Sequence, residues 1–347
     1  MIHVLITAGA DLCRDNPETT ASLGLLWGLE RRGIRWTQML PGHNQPDLDP
    51  YDAVLSWWGK PGKRRYLFEH SHVGHIYPRT PAPNRVPFER KMAERCARLG
   101  IPVVNPLSGR LGMRHSTCLQ AWSRGGVPCA RFQTFASFEE VTLGYPMILR
   151  VDGGSHALGE AFRVGSEAEA RAVLARRAEQ GGLPLTLAIE FRETRYSDGL
   201  YRKRRSYVVG DRALPRQQMV AEGWQVKLTT SILGEPAVSE NRRFREQGEE
   251  DPELVARAGR LLGPEVVALD YTRQEDGSYL FWEGNPVFGM AGLGDDEKSR
   301  FYREATGMTR DECAEEHAVL GTAIADLILE RVEQAAAAGP DRAAAGR

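Results

Sequence analysis

The sequence lacks the features that mark membrane-bound, secreted and nucleic-acid-binding proteins. No apolar run reaches the ~18–20 residues of a membrane-spanning helix. The opening residues MIHVLITAGAD lack the charged start and long apolar stretch of a secretory signal, and they are typical of a first β-strand. Lys and Arg total 45 against 46 Asp and Glu, so no basic excess points to nucleic acid. We therefore expect a cytoplasmic protein with no membrane or nucleic-acid partner.

Cysteine and lysine are scarce. The five cysteines are odd in number, lie far apart and form no Cys-x-x-Cys pair, which argues against a disulfide framework and favours free thiols. Only six lysines are present, so arginine supplies most of the positive charge. No GxGxxG follows the first apolar run, so a dinucleotide-binding fingerprint is also absent.

The first hundred residues alternate short apolar runs with helix-like stretches. HVLITAG, GIRWTQML, YDAVLSWWG and IPVVN are predicted strands, and helical spacing covers Glu18 to Arg32 and Pro87 to Leu99. Alternation at this spacing predicts an α/β domain with a mostly parallel sheet. A chain of 347 residues is long enough for two or three such lobes, since domains typically have ~100–200 residues.

Further strands and helices follow in the rest of the chain. The predicted strands are YPMILRV, LTLAIEF, RSYVVGDRALPRQQMV and ALDYT with YLFWEGN. Helices are predicted from about Arg114 to Gly125, after the capping box of Ser166 and Glu169, over ELVARAGRLLG, and from Asp311 to Gln334. This mixture of strands and helices predicts α+β lobes that follow the α/β domain in the chain.

One predicted hairpin gathers oxygen-bearing side chains. In ALDYTRQEDGSYLFWEGN, an Asp-Gly dipeptide separates two apolar runs, which is a strong hairpin signal. With a two-residue loop, Asp270 lies directly opposite Glu283, their Cβ atoms ~5 Å apart, and Asn285 shares the same face. Side-chain alternation along the second strand then places Phe281 on the same face as Glu283, and Trp282 on the opposite face. A three-residue loop would separate the two carboxylates.

This group of side chains suits a hard cation. Two adjacent carboxylates repel unless one is protonated or a cation lies between them. Oxygen ligands from Asp, Glu and Asn suit Mg²⁺ or Mn²⁺ rather than zinc, and Mg²⁺ commonly combines protein carboxylates with substrate phosphates. A solvent-facing hairpin is the alternative, but a charge inside the aromatic WEGNP context is not typical of a solvated face.

Five segments, in order, resemble the ATP-grasp superfamily, which includes D-alanine–D-alanine ligase, glutathione synthetase and RimK-like enzymes. They are GGVPCARFQTF, YPMILRVDGGSHALG, LAIEF, RSYVVGDRAL and the Glu-x-Asn-Pro of FWEGNP, and they span roughly Gly100 to Gly289. The resemblance implies an N-terminal Rossmann-like pre-ATP-grasp domain (1–112). It also implies a lid subdomain (113–184), a C-terminal subdomain with the metal site (185–334) and a flexible tail (335–347).

The resemblance also implies roles for individual residues. Asp270, Glu283 and Asn285 would form the metal site for Mg²⁺ or Mn²⁺. The nucleotide ATP would be held by the following residues: Arg150 and Arg205 at the phosphates in a catalytic role, Ile189, Glu190 and Phe191 at the adenine, and Glu193 at the ribose. Strand alternation places Lys203 beside Arg205, on the side that would bind the nucleotide phosphates. It places Arg202 and Arg204 on the other side, which is expected to be solvated. The first nucleotide lysine of the family is missing, and Arg114 or His115 lies nearest to its place.

The activity implied is that of an ATP-dependent ligase. ATP would phosphorylate a substrate carboxylate, and an amine would attack the acyl phosphate to form a C–N bond, releasing ADP and phosphate. The substrates would be a carboxylate and an amine, either small molecules or peptides, and a homodimer is left open. Two alternatives remain, a nucleotide-binding protein without ligase activity and a small-molecule kinase of the same fold.

The sequence departs from the family pattern in several places. Arg150 stands where a lysine is usual, and Asp152 follows it, where a carboxylate would repel phosphates unless turned away. The stretch RQQMVAEGWQVKLTT is unlike the family, which leaves the substrate class open. His70, His72 and His75 are interpreted as a loop cluster rather than a transition-metal site, because no cysteine lies nearby.

Overall fold

The computed structural model describes residues 1–8, 22–39, 47–57, 85–106, 113–152, 161–286 and 290–338. The histidines of HSHVGH and most of the glycine-rich turn DGGSHALG lie outside these residues. The strands are β1 (His3–Ala8), β2 (Arg35–Met39), β3 (Ala53–Trp57), β4 (Val103–Val104), β5 (Phe132–Thr134), β6 (Met147–Arg150), β7 (Ala161–Val164), β8 (Leu187–Glu190), β9 (Tyr201–Val209), β10 (Arg212–Ala221), β11 (Val266–Arg273) and β12 (Tyr279–Asn285). The helices are α1 (Ser22–Arg31), α2 (Arg85–Leu99), α3 (His115–Arg124), α4 (Glu167–Glu179), α5 (Ala237–Gln247), α6 (Pro252–Arg260), α7 (Glu297–Thr306) and α8 (Arg310–Ala337).

The first sheet is parallel, as the alternating pattern predicts. Its strand order is β2-β1-β3-β4, and every pairing runs in parallel. Successive residues of β1 face opposite layers: Ile6 packs in the core that contains α1 and α8, and Leu5 packs with Met92 and Cys96 of α2. Because both faces are covered, β1 and β3 are mostly apolar, and the hydroxyl residues Thr7 and Ser56 within them are buried.

Helix α8 joins this sheet to the C-terminal part of the chain. Its Ile324 and Ile328 share one core with Ile6 of β1 and Ala268 of β11. The contact with α1 is very close, since a Cβ added to Gly28 would lie 2.0 Å from a carbonyl carbon of α8. Only glycine permits this approach of two backbones. The last helix therefore closes the fold by packing on the first.

The second sheet is antiparallel, with strand order β5-β8-β6-β7. Helix α4 covers it, and Ala170 packs among Met147, Leu149 and Ala188. The helix begins at the predicted cap, where Ser166 Oγ accepts the N–H of Glu169 at 3.3 Å. Since β8 belongs to this sheet, the sheet extends past residue 184, and the domain boundaries themselves stay predictions.

The third sheet is antiparallel, with order β10-β9-β11-β12. Alternate residues of β11 face its two sides, as strand geometry requires. Leu269 and Tyr271 pack with Val255 and Ala258 of α6, whereas Ala268 packs in the core shared with α8. Asp270 therefore points to the side opposite α6.

Helices α5 and α7 were not predicted from the sequence. Helix α5 buries only Ala237, Asn241 and Phe244 among many charged residues, which is too narrow a stripe for a periodicity signal. Helix α7 is capped by Asp296, which precedes it and whose carboxylate accepts the N–H of Ser299 at 3.2 Å. Within the described parts of the chain, no helix is long and apolar enough to cross a membrane. The four described cysteines are free thiols, as predicted.

Candidate active site

The hairpin places Asp270 directly opposite Glu283, but by a different route from the one predicted. Gln274 donates its N–H to Ser278 O at 2.7 Å, so the loop between them has three residues rather than two. The pairing then shifts between Asp270 and Tyr271, where β12 carries one extra residue, Trp282. The predicted loop length was wrong. The bulge compensates for it, and the two carboxylates still face each other.

The bulge reverses the predicted faces of two aromatic residues. Trp282 lies on the carboxylate side, where its Nε1 donates to Thr272 Oγ1 at 2.9 Å. Phe281 lies on the opposite side, packed against Trp122 and Tyr271 with ring centroids 5.6 and 5.1 Å apart. The prediction for both residues was wrong because a bulge shifts side-chain alternation by one position.

Asp270 is held by two cations on the neighbouring strand. Arg205 pairs with it across β9 and β11, and the guanidinium binds both carboxylate oxygens, with Nε–Oδ1 at 2.6 Å and Nη2–Oδ2 at 2.8 Å. Lys203 Nζ lies 3.3 Å from Oδ2. Burial opposes ionisation of Asp270, but the charges of Arg205 and Lys203 hold its pKa below the ordinary value. Asp270 is therefore an ionised carboxylate in a buried cluster.

Glu283 and Asn285 extend the same face of β12. Glu283 Oε1 lies 3.4 Å from Nε2 of His115, which is buried in the first turn of α3. Asn285 is fully buried, and within the described residues neither its Oδ1 nor its Nδ2 has a hydrogen-bond partner. A buried amide without partners is costly, so Asn285 fits a group that a ligand or ion completes.

These side chains can hold Mg²⁺ together with phosphate oxygens. No group of three His, Cys, Asp or Glu suited to a metal ion exists among the residues that the structure describes. The candidate ligands are the carboxylates of Asp270 and Glu283 and the amide oxygen of Asn285. These are hard donors, but three are too few to complete the coordination of an ion without further oxygen ligands. Oδ1 of Asp270 retains a lone pair beyond its bond to Arg205, whereas Oδ2 accepts from both Arg205 and Lys203. The site therefore fits a hard cation such as Mg²⁺ or Mn²⁺ that arrives with a polyphosphate, and it does not fit zinc.

A cavity of about 620 Å³ lies between the second and third sheets, and Asp270 and Glu283 line it. One end is apolar and is lined by Ile148, Ile189, Phe191 and Trp224. Phe191 meets Trp224 edge to face at 5.9 Å, and the guanidinium of Arg163 lies 4.3 Å from the centre of the Phe191 ring. Such an apolar slot can hold a flat heteroaromatic base.

Arg150 lines the cavity between this slot and the carboxylates. Its Nε is buried and has no hydrogen-bond partner within the described residues. Burial lowers the pKa of Arg150, while the charges of Glu283 and Asp152 counteract that effect. Asp152 itself is turned away, since its carboxylate accepts the N–H of Ser116 at 3.0 Å and its hydroxyl at 2.5 Å. Asp152 is therefore not among the residues that line the cavity, and its charge acts on Arg150 from outside it.

Three of the predicted nucleotide residues do not present their side chains to the cavity. Arg114 is exposed at the start of α3. The Glu190 carboxylate is bound by Arg131 through two contacts of 3.2 Å. Glu193 is exposed and accepts the N–H of Arg195 at 3.0 Å. The structure does bring together Arg150, Ile189, Phe191, Lys203, Arg205, Asp270 and Glu283, and their roles stay predictions.

The other arginines of the YRKRR run are not solvated, contrary to the prediction. Arg202 is buried and bound to Asp198 and Glu240, with its Nη2 at 2.5 and 2.7 Å from their oxygens. Arg204 Nε donates to Gln218 Oε1 at 2.8 Å. Acids cover this second pair, with Asp198 and Glu240 at Arg202 and Glu250 at Arg204. Arg202 nevertheless lines part of the cavity together with Lys203 and Arg205.

Sequence reasoning missed Arg216. The register of β10 shifts between Pro215 and Gln217, so Arg216 is the extra residue of a bulge and points into the cavity. It is buried in an ion pair with Glu316 of α8, donates to Ala291 O at 3.3 Å and lies 4.6 Å from the centre of the Tyr302 ring. A proline within a strand pattern was the available signal, because proline is tolerated at bulges.

Comparisons with known proteins give the fold. No protein-family model matches the chain, and no curated protein matches it. The structure of the ATP-grasp ligase PsnB complexed with minimal precursor is 14% identical, with a TM-score of 0.51, covering 95% of this chain and 99% of that one. PsnB complexed with the precursor peptide PsnA2 and AMPPNP is 14% identical, with a TM-score of 0.50, covering 95% and 97%.

A RimK domain ATP-grasp protein from Sphaerobacter thermophilus DSM 20745 is 16% identical, with a TM-score of 0.48, covering 94% of this chain and 99% of that one. Identities this low establish fold and not activity. The match to PsnB extends over nearly the whole of both chains. The chain has the ATP-grasp fold, of the α/β class, as predicted.

Proposed function

We propose that the protein is an ATP-dependent ligase that joins a carboxylate to an amine through an acyl phosphate. The observation that supports this most directly is the pairing of Asp270 with Glu283 on the wall of a cavity that also contains Arg150, Lys203 and Arg205. Acids that can carry a cation, beside cations that can neutralise phosphate, form the arrangement that phosphoryl transfer requires.

Different residues of the cavity would bind different parts of the nucleotide. The slot of Ile189, Phe191 and Trp224 would hold the adenine, and Arg150 would bind the phosphates. A Mg²⁺ ion held by Asp270, Glu283 and Asn285 would supply charge neutralisation at the polyphosphate. Arg205 keeps Asp270 ionised and oriented, and Arg216 supplies a buried cation at the cavity wall. These groups act by positioning and by charge rather than by covalent chemistry.

The proposed reaction has two steps, formation of the acyl phosphate and attack by the amine. A carboxylate oxygen of the acid attacks the γ-phosphorus, the bond to the bridging oxygen breaks, and ADP leaves with that electron pair. The amine nitrogen then attacks the acyl carbon, the carbon–oxygen bond to phosphate breaks, and phosphate leaves. The amine proton goes to solvent. Walls that exclude water protect the acyl phosphate from hydrolysis.

The acid substrate is either a small-molecule carboxylate or a peptide carboxylate. PsnB was solved with a precursor peptide, which supports testing peptides as well as small molecules. The rival functions predict different products. A binding protein would hold ATP without turnover, and a kinase would release a stable phosphorylated product rather than an amide.

Hydroxylamine tests the proposal without knowledge of the natural amine, because it traps acyl phosphates as hydroxamates. Purified full-length protein would be incubated with Mg-ATP, hydroxylamine and a panel of acids and acidic peptides. The expected result is hydroxamate in a one-to-one ratio with ADP for a subset of acids. Tight ATP binding without hydroxamate from any acid would contradict the ligase and favour the binding protein. The control is Asp211→Asn, since Asp211 is exposed, pairs with Arg260 at 3.1 Å and does not line the cavity.

A further inference from the structure

Arg150 and the two carboxylates of the cavity are carried by different sheets. Arg150 is the last residue of β6 in the second sheet, whereas Asp270 and Glu283 belong to β11 and β12 of the third. The place of the guanidinium relative to the carboxylates therefore depends on the contacts that join the two sheets. A displacement of about 1 Å at a catalytic group can cost about 100-fold in rate. Contacts close to Arg150 are thus important for the proposed reaction.

One such contact lies two residues beyond Arg150. Asp152 binds Ser116, in the first turn of α3, through both of its carboxylate oxygens. Oδ1 accepts the N–H of Ser116 at 3.0 Å, and Oδ2 accepts its hydroxyl at 2.5 Å. Ser116 is buried and Asp152 is partly buried. A two-point contact to a carboxylate fixes orientation as well as distance, and such charged hydrogen bonds are stronger than neutral ones.

Helix α3 is itself fixed to the third sheet. Its Trp122 is fully buried in the core beneath β11 and β12, and Nε1 donates to Ala258 O at 2.9 Å. At the start of the helix, Nε2 of His115 lies 3.4 Å from Oε1 of Glu283. The first turn of α3 therefore contacts a carboxylate of the hairpin through His115 and the end of β6 through Ser116.

A second contact joins the sheets on the other side of Arg150. Ala161 of β7 pairs with Arg150, and its carbonyl accepts Nε2 of Gln225 at 2.6 Å. Gln225 follows β10 of the third sheet, and it also lines the cavity. Its replacement would therefore alter the cavity wall itself. Ser116 and Asp152 do not line the cavity, so their replacement separates the positioning of Arg150 from direct contact with a ligand.

Resting on the proposed ATP-dependent function, we infer that Ser116 and Asp152 are positioning residues, which hold Arg150 where its guanidinium binds the phosphates of ATP. They act through the short backbone segment between Asp152 and Arg150. The sign of the effect distinguishes this role from an effect of charge. A carboxylate near phosphates repels them, so by charge alone the removal of Asp152 would tighten nucleotide binding. By positioning, its removal weakens nucleotide binding.

Calorimetry on the full-length protein tests this inference with two probes, Mg-AMPPNP and adenosine, which lacks phosphates. For Asp152→Ala we expect AMPPNP to bind about tenfold more weakly than to the parent, as the loss of a charged hydrogen bond implies, and adenosine to bind within about twofold. Ser116→Ala should show a smaller loss of the same kind, because it keeps the backbone N–H. The double variant should lose no more than Asp152→Ala, because both changes remove one contact.

Asp152→Asn is the conservative variant, since its amide can accept the N–H of Ser116 and donate to the hydroxyl. It should bind AMPPNP at least as tightly as the parent. Tighter AMPPNP binding by Asp152→Ala would show that Asp152 acts by charge, and equal losses for AMPPNP and adenosine would show a general structural role. Either result overturns the inference.

Ser197→Ala is the matched control and should leave both affinities unchanged. Ser197 also donates its N–H and its hydroxyl to one carboxylate, that of Glu275, at 3.0 and 2.7 Å, and neither residue lines the cavity. If Asp152→Ala does not fold, Ser116→Ala supplies the same comparison. A parent that binds no AMPPNP would contradict the proposed function. A parent that binds AMPPNP no better than Asp152→Ala and Ser116→Ala would overturn only the positioning role.

Discussion

Asp270 faces Glu283 across β11 and β12 even though the loop that connects these strands has three residues. The pairing depends on Trp282, the extra residue of β12, which shifts the register by one position just before the carboxylates. Arg205 then binds both oxygens of Asp270 from the other neighbouring strand. The proposed metal site is thus an outcome of a turn, a bulge and an ion pair acting together.

Replacement of either carboxylate is expected to abolish ATP turnover, with different effects on stability. Glu283→Gln keeps the shape of a partly exposed side chain, so the free energy of unfolding should change little. Asp270→Asn leaves the Arg205 charge buried without its partner, which typically costs about 3–5 kcal/mol. Hydroxamate formation and urea unfolding would measure both. Full turnover by either variant would contradict the metal assignment.

The turn requires glycine at position 277. Gly277 has φ of 86°, a conformation that costs an L-residue with a Cβ about 1–2 kcal/mol. Gly277→Ala should therefore lower the free energy of unfolding by that amount, and Gly277→Asn should lower it less. Gly144→Ala is the matched control, because Gly144 has no positive φ and an added Cβ there would meet nothing within 4 Å. Equal effects at the two positions would contradict the explanation.

Two adjacent glutamates of α8 should behave very differently. Glu316 is buried against Arg216, whereas Glu315 pairs with Arg31 at 3.2 Å on the exposed surface. Glu316→Gln leaves a buried arginine unbalanced and is expected to lower stability by about 3–5 kcal/mol. Glu315→Gln should have little effect, since exposed ion pairs contribute little. Urea unfolding of both variants measures the difference, and similar losses would show that Arg216 does not depend on Glu316.

His317 should make stability depend on pH in the acid range. Burial, together with the charge of Arg216, lowers the pKa of His317 to about 3 from 6.5. Between these values the unfolded chain binds a proton that the folded protein does not, so stability falls as pH falls. The slope from this one group approaches about 1.4 kcal/mol per pH unit. Below pH 3 both states are protonated and the slope from this group disappears.

The measurement compares parent and His317→Gln by urea unfolding between pH 7 and pH 3. Other titrating groups are common to both proteins, so the difference between the two curves isolates His317. The free energy of unfolding of the parent minus that of His317→Gln should stay constant above pH 6.5. It should decrease as pH falls below 6.5, because only the parent carries the group that titrates. Parallel curves throughout would show that His317 titrates normally in the folded protein.

The parts of the site predicted correctly were those with a local signal. The alternation of Lys203 and Arg205 follows from strand geometry, and the helix start at Ser166 follows from its capping pattern. The pairing of Asp270 with Glu283 was predicted for a partly wrong reason, because a bulge has no signal in the alternation that it interrupts. Arg216 was missed for the same reason.

The sequence by itself determined the α/β class, the order of the segments and the chemical content of the hairpin, because periodicity, capping and residue type are local properties. Only the tertiary structure decided which side chains meet. Arg131 holds Glu190 away from the cavity, Ser116 holds Asp152, and Glu316 holds Arg216. Each of these contacts joins residues far apart in the chain, so its geometry depends on packing between elements and not on any one of them.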